Sequence, residues 1–318
     1  MPNLGAKALM GAVLTAVCMG APVMAQPSSL PCSQAQLVVP WPAGGDTDVV
    51  FKAYVDSINK TGSNPSLELV YVSGQGGIKG TTQVKDAKPD GCMLLATHRY
   101  IITSELMGNS KFTHEALQPV AQVSFTPSIV GASTKAPFSN LSEMLAMAKK
   151  GPESVTVGVV LGSTSHFMFS LIEDAAKVKF RFVDYEGTVA RTAGLLKDEV
   201  MLSDVNVLTA QKEIKAGAIN GLAISTAERE TVTPQIPTLK EQGLDIVYGL
   251  PRGVMAPLGT PAATVKFWDE AFAKAAKDPA VIAALQGAGS MVRYLDAAAY
   301  GEFLDQDYAE HKRLAQKN

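Results

Sequence analysis

Short apolar runs, each followed by a glycine-bearing loop and then a segment of helical period, recur through this chain. Leu37-Val-Val-Pro40 leads into Trp41-Pro-Ala-Gly-Gly-Asp46, then into a helical face of Val50, Ala53, Tyr54, Ser57 and Ile58. Leu67 to Val72 leads into Ser73 to Gly80 and a helical 81–87, and Pro89-Asp-Gly91 turns into a third strand, 92–97. Strand, helix, strand at this spacing predicts parallel sheets, because parallel neighbours need a long crossover and a helix supplies it. The pattern returns after Pro127. Asn140-Leu-Ser-Glu143 is a capping box opening a helix. Strands at 155–160 and 180–183 each precede a loop and a helix, at 167–176 and 189–196. Short strands follow at 200–205 and 221–225. Thr260-Pro261 starts a helix with Val265, Trp268 and Phe272 as its stripe, and a last helix begins near Ala297 with Tyr300, Phe303 and Leu304 inward. The chain has 318 residues, roughly twice the ~150 of one domain. The expectation is an α/β protein of two lobes, with mostly parallel sheets flanked by helices.

The start of the chain has a different character. Lys7 precedes an apolar run from Leu9 to Ala21, and Pro22-Val-Met-Ala25 ends in small residues. A charged end, apolar centre and small-residue site describe a secretory signal peptide, so cleavage after Ala25 is expected, leaving Gln26 first. A membrane anchor is the alternative, and lipidation at Cys18 a second, against which Thr15-Ala-Val17 lacks the usual residues. Nothing later reaches the ~18 apolar residues of a membrane span. Cleavage leaves Cys32 and Cys92, an even pair in an oxidising compartment, which reads as one structural disulfide if their strands lie side by side. Two buried free thiols are the other reading.

Charge excludes several partners. The 28 basic residues nearly balance the 30 acidic ones, for a formal charge of −2. A nucleic-acid footprint needs a basic excess, so no nucleic acid is expected, nor an anionic membrane surface. His98, His114, His166 and His311 are too scattered for a zinc motif. No metal or cofactor is expected. Gly74-Gln-Gly-Gly-Ile-Lys-Gly80 departs in residue order from both the dinucleotide fingerprint and the P-loop.

The glycine loops carry the chemistry. Ala43-Gly44-Gly45, Gly76-Gly77 and Gly162-Ser163-Thr164 all stand between a strand and a helix, the edge where open α/β sheets bind ligands. Free backbone N–H groups at a helix start make an anion site without a cationic side chain. A valine at Gly45 is expected to block it. Ser163 or Ser165 with His166 suggests an exported serine hydrolase as the rival, although Gly-Ser-Thr-Ser-His is not a nucleophile elbow.

Eight short motifs occur in order along the mature chain. They are Pro40-Trp-Pro-Ala-Gly-Gly-Asp-Thr-Asp48, Pro89-Asp-Gly91, Gly162-Ser-Thr-Ser-His166 and Tyr185-Glu-Gly187, then Ala216-Gly217, Ala227-Glu-Arg229, Pro237-Thr-Leu-Lys-Glu-Gln-Gly243 and Ala256-Pro-Leu-Gly-Thr-Pro261. The series resembles the extracytoplasmic receptors of tripartite tricarboxylate transporters, the Bug or TctC-like group. That resemblance implies a type II-like, two-lobed periplasmic binding protein that closes on a small organic carboxylate and delivers it to membrane permease subunits. It implies residues 26–125 as the first domain, 126–250 as the second, and 251–318 returning to the first, with crossovers near 119–128 and 250–256. It implies a clamp of Ala43, Gly44, Gly45 and Asp48 in the first domain, hydroxyls of Ser163 and Thr164 in the second, and Tyr185 and Gly187 at the mouth. Trp41, Gly76, Gly77, Gly162 and Asp204 complete the candidate set. Two loops depart from the usual pattern, Val183-Asp-Tyr-Glu-Gly187 and Gly74 to Gly80. Lys79 would add charge near the cleft, and Arg99 or Arg252 would pair a second carboxylate. A monomer without enzymatic activity is expected, and a sensor for a membrane kinase is the remaining alternative.

Overall fold

A computed structural model describes residues 1–2, 30–231 and 233–316. The expected signal peptide and its cleavage site lie outside the described residues. Eleven strands and ten helices follow in chain order among the described residues. The first half of the first lobe runs β1 (Gln34–Val39), α1 (Asp46–Lys60), β2 (Ser66–Tyr71), α2 (Ile78–Lys85), β3 (Met93–His98), α3 (Tyr100–Leu106) and β4 (Leu117–Pro127). The second lobe runs β5 (Ile129–Ser133), α4 (Leu141–Lys150), β6 (Thr156–Val159), α5 (Thr164–Ala176), β7 (Arg181–Asp184), α6 (Thr188–Leu196), β8 (Leu202–Val205), α7 (Val207–Lys215) and β9 (Ile219–Ile224). The chain then returns through β10 (Gly249–Pro257), α8 (Ala262–Ala275), α9 (Pro279–Gly287), β11 (Met291–Leu295) and α10 (Ala297–Ala315).

Two sheets result, ordered β11-β4-β10-β3-β1-β2 and β7-β6-β8-β5-β9. Pairing is parallel where strand–helix–strand units follow one another, in β1 with β2 and β3 and in β6 with β7 and β8. It is antiparallel around the connecting strands, because β10 runs against β3 and β4, β11 against β4, and β5 against β8 and β9. The sheets are therefore mixed, a consequence of strands that enter one lobe from the other. Only Ser128 separates β4 from β5. The return is stitched beside it: the Ser225 N–H donates to the Ser128 carbonyl at 2.9 Å and the Tyr248 N–H to the Ser225 carbonyl at 2.8 Å.

Strand alternation assigns the faces. Leu37 and Val39 of β1 meet Phe51 and Tyr54 of α1 and Trp268 and Phe272 of α8, whereas Val38 points to the opposite core with Ile101, Ile102, Tyr300 and Leu304. The second sheet is covered likewise, by α4 and α5 on one face and α6 and α7 on the other. The last helix does not stay with the first lobe. Tyr300 and Leu304 join a first-lobe core, but Leu314 joins the second-lobe core, and Arg313 Nη1 reaches Asp174 at 2.7 Å. Cys32 and Cys92 are bonded, with sulfurs 2.04 Å apart. Their positions follow from the β1–β3 pairing, in which the Gln36 N–H donates to the Cys92 carbonyl at 2.9 Å. No helix among the described residues is long and apolar enough to cross a membrane.

Candidate functional site

The loops after β1, β2, β3, β6 and β7 open onto one cleft of about 1120 Å³. Each leaves the carboxyl end of a strand in parallel pairing, the edge at which such sheets bind ligands. Of the candidate residues, Trp41, Gly76, Gly162, Ser163, Thr164 and Gly187 line it. The first lobe adds Gln75, Ile78, His98, Tyr100, Thr103, Ser104, Met107 and Asn109, and the second adds Val160, Leu161 and Thr188. At the end of β3 the sequence points to Arg99, which is not in the lining, and does not single out His98, Tyr100, Thr103, Ser104, Met107 or Asn109, which are. The strand pattern at 92–97 carries the signal, because the residues that follow it reach the same edge as the other loops.

The first-lobe wall is aromatic. The Trp41 and His98 rings stack at 4.1 Å and 9°, and Tyr100 meets both edge-on at 4.8 and 5.3 Å. Gly77 makes this possible. A Cβ there would lie 3.0 Å from Tyr100 Cε2 and 3.3 Å from Trp41 Cζ2, and its φ of +106° suits glycine alone. The Tyr100 N–H donates to His98 Nδ1 at 3.1 Å, which puts the neutral ring's proton on Nε2. Burial, then the Arg252 and Arg99 charges, hold the His98 pKa down to about 3. The imidazole is thus an uncharged part of the wall. Nearby, the Ser104 hydroxyl oxygen is buried and has no hydrogen-bond partner.

Two helix starts form the second-lobe wall. In α5 the Ser163 hydroxyl caps the Ser165 N–H at 3.2 Å, and the Val160 N–H donates to Ser165 Oγ at 3.0 Å. In α6 the N-cap is Gly187, which supplies no side-chain cap, and Val189 of the first turn is 85% exposed. The positive end of α6 is therefore left without a side-chain cap where Gly187 and Thr188 line the cleft. The lobes touch over this cleft: a Cβ on Gly162 would lie 2.7 Å from Met107 Cε of the opposite lobe.

The geometry gives the serines and His166 structural work. Among the described residues no hydrogen bond joins His166 to either hydroxyl. Its Nδ1 accepts from the Gly162 N–H at 3.2 Å, and Ser163 Oγ lies 2.9 Å from Ser165 Oγ. Burial lowers the His166 pKa, partly offset by Asp184. A serine nucleophile needs a base within hydrogen-bond reach, and among the described residues the two hydroxyls bond each other and backbone N–H groups instead.

Other candidates stand outside the lining. Ala43, Gly44 and Gly45 are exposed at the start of α1, and a Cβ on Gly45 would meet nothing within 4 Å. Asp48 already accepts from the Gly44 N–H at 2.7 Å and the Tyr71 hydroxyl at 2.6 Å, so the chain's own carboxylate occupies that donor. Tyr185 turns into the second lobe, donating to Glu199 at 3.2 Å. Asp204 is buried beside Arg191, 3.6 Å from its guanidinium, with its pKa raised by burial. Lys79 is exposed outside the lining.

The two arginines expected to pair a ligand carboxylate are committed elsewhere. Arg99 is 3% exposed, bonds Asp307 of α10 at 2.8 and 3.1 Å, donates to the Gly249 carbonyl and lies 4.2 Å above the Tyr248 ring. The Tyr248 hydroxyl meets His311 Nε2 at 2.8 Å, and His311 in turn packs edge-on against Phe167 of α5. Arg99 therefore belongs to a polar cluster at the lobe junction. Arg252, opposite His98 on β10, is 2% exposed and donates to Thr47 at 3.2 Å and Thr126 at 2.6 Å.

Two α/β lobes, joined at two adjacent crossings and opening their strand ends onto a shared cleft, define the class: a two-lobed solute-binding protein. Residues 70–318 match the tripartite tricarboxylate transporter family receptor, TctC. A UPF0065 protein of Agrobacterium vitis is 31% identical over 90% of this chain and 84% of its own length. The protein BugT of Bordetella pertussis is 26% identical over 89% and 88%. The crystal structure of a TctC solute-binding protein from Polaromonas, with no ligand, superimposes with a TM-score of 0.81 at 30% identity, covering 90% of this chain and 98% of that one. The chain belongs to the TctC family of tripartite tricarboxylate transporter receptors.

Proposed function

We propose that this chain is an exported, monomeric, non-catalytic receptor that captures a small organic carboxylate and delivers it to membrane permease subunits of a tripartite transporter. One observation carries the reading: helix starts and glycine loops from two separate sheets converge on a single cleft. A carboxylate at the α5 and α6 starts gains hydrogen bonds from backbone N–H groups and a favourable helix end. Bridging to the Trp41 wall stabilises the closed arrangement, because only there does the ligand touch both lobes. Closure bends the chain at Ser128 and at Tyr248–Gly249, with domain borders beside those points. Residues 1–25 supply export to the periplasm. The family's receptor role and the unpaired serine–histidine geometry support binding without turnover.

The test is a thermal-shift and small-angle scattering series with purified protein and organic acids at millimolar concentration. A carboxylate should raise the melting temperature by mass action and shrink the radius of gyration. Folded protein unmoved by every acid tested removes the reading.

A further inference from the structure

We propose that the ligand is a monocarboxylate with an uncharged, ring-bearing body, its carboxylate at the second-lobe helix starts and its ring against Trp41, His98 and Tyr100. The inference rests on the carboxylate-receptor reading and narrows it to a class of acid that the family's tricarboxylate name does not suggest.

Charge is the first argument. Among the described residues, no Asp, Glu, Lys or Arg side chain lines the cleft. An ionised carboxylate taken out of water costs several kcal/mol after relaxation unless something compensates it. One carboxylate finds compensation at the uncapped α6 start. A second, carried toward the first lobe, would meet the rings, Ile78 and Met107, and the neutral Gln75, Thr103, Ser104 and Asn109, none of which carries a compensating positive charge. The cations nearest that wall do not answer it: Arg99 is neutralised by Asp307, and Arg252 is 2% exposed behind β3 with Thr47 and Thr126 as its partners.

Shape and polarity supply the second argument. A stacked Trp–His pair closed by an edge-on tyrosine offers dispersion and edge contacts to a planar ring, more than to a flexible chain whose rotors must be frozen. Ile78, Met107 and Leu161 extend this apolar surface.

Titration calorimetry of the purified chain decides the matter, with benzoate and 4-hydroxybenzoate against succinate, adipate and citrate, and with benzamide as the ring lacking a carboxylate. The aromatic monocarboxylates should bind at least tenfold more tightly than any of the three polycarboxylates, and benzamide should not bind. Equal or tighter binding of succinate, adipate or citrate overturns the inference and leaves the receptor reading standing. If neither set binds to folded protein, the receptor reading fails and takes the inference with it. Trp41→Leu should abolish the tenfold preference. Preserved preference in folded Trp41→Leu protein removes the ring wall from the argument.

Discussion

Replacing Asp307 by asparagine would leave the Arg99 guanidinium buried without its carboxylate. The present pair has two hydrogen bonds, 2.8 and 3.1 Å, between side chains 3% and 10% exposed. A guanidinium cannot discharge by losing its proton. What remains is the Gly249 carbonyl and the Tyr248 ring 4.2 Å away, neither of which neutralises it. Breaking a buried pair from one side costs about 3–5 kcal/mol. At roughly 2–4 °C per kcal/mol for a domain of this size, the melting temperature should fall on the order of 10 °C. The paired substitution Arg99→Met with Asp307→Leu removes both desolvation penalties and should lie within about 2 kcal/mol of the parent. Urea unfolding of the single and double variants measures both. Because neither residue lines the cleft, the double variant should keep its affinity for a bound acid in calorimetry. A loss below about 1 kcal/mol for Asp307→Asn refutes the electrostatic reasoning. Lost binding in a stably folded double variant would make Arg99 a ligand contact.

Four further outcomes are expected. The pKa values of His98 and His311 are held to about 3 and about 4. Burial is the first cause for both, then Arg252 and Arg99 for His98, and Arg99 for His311 against Asp307 and Glu310. The unfolded chain takes up protons near pH 6.5 and the folded chain does not. Their stabilisation is therefore complete above that pH and declines toward pH 4, by roughly 1.4 kcal/mol per unit for each histidine; His311→Phe should flatten a plot of melting temperature against pH, and an unchanged slope contradicts the assignment. Opening the Cys32–Cys92 bond, which closes a separation of 60 residues, should cost up to about 4 kcal/mol in reductant-dependent unfolding, and no reductant effect would deny it a stabilising role. Gly77→Ala combines a positive φ with a 3.0 Å approach to Tyr100, which should cost about 1–3 kcal/mol and displace the ring wall, weakening acid binding. Gly45→Val, in open space outside the cleft, should bind normally; the reverse pattern in calorimetry moves the site to α1.

Local information accounts for much of the architecture. The β-branched runs at 37–39 and 155–160, the capping box at Asn140, whose side chain accepts from the Glu143 N–H, and the stripe of Val265, Trp268 and Phe272 are short-range patterns, and the structure contains each. The strand-end rule pointed to Gly76 and Gly162, which line the cleft, and equally to Ala43, Gly44 and Gly45, which do not, because where a strand ends is written nearby but which way its loop turns is not. Other features depend on neighbours remote in sequence. The strands β10 and β11 escaped a reading of local pattern because their pairing comes from β3 and β4, far earlier in the chain.

The sequence by itself determined the alternation of strand and helix, the glycine loops at the strand ends and the family; it offered Cys32 and Cys92 as a pair, and the packing of β1 beside β3 joined them. Only the tertiary structure decided how the charges are spent. Arg99, Arg252 and Asp48 read as ligand groups because side-chain charge is visible in a sequence and its partner is not. Folding gives Arg99 to Asp307, 208 positions away, Arg252 to two threonines, and Asp48 to Gly44 and Tyr71. A buried charge must be compensated, and that requirement selects its partner through space. The cleft is left with rings, hydroxyls and helix ends.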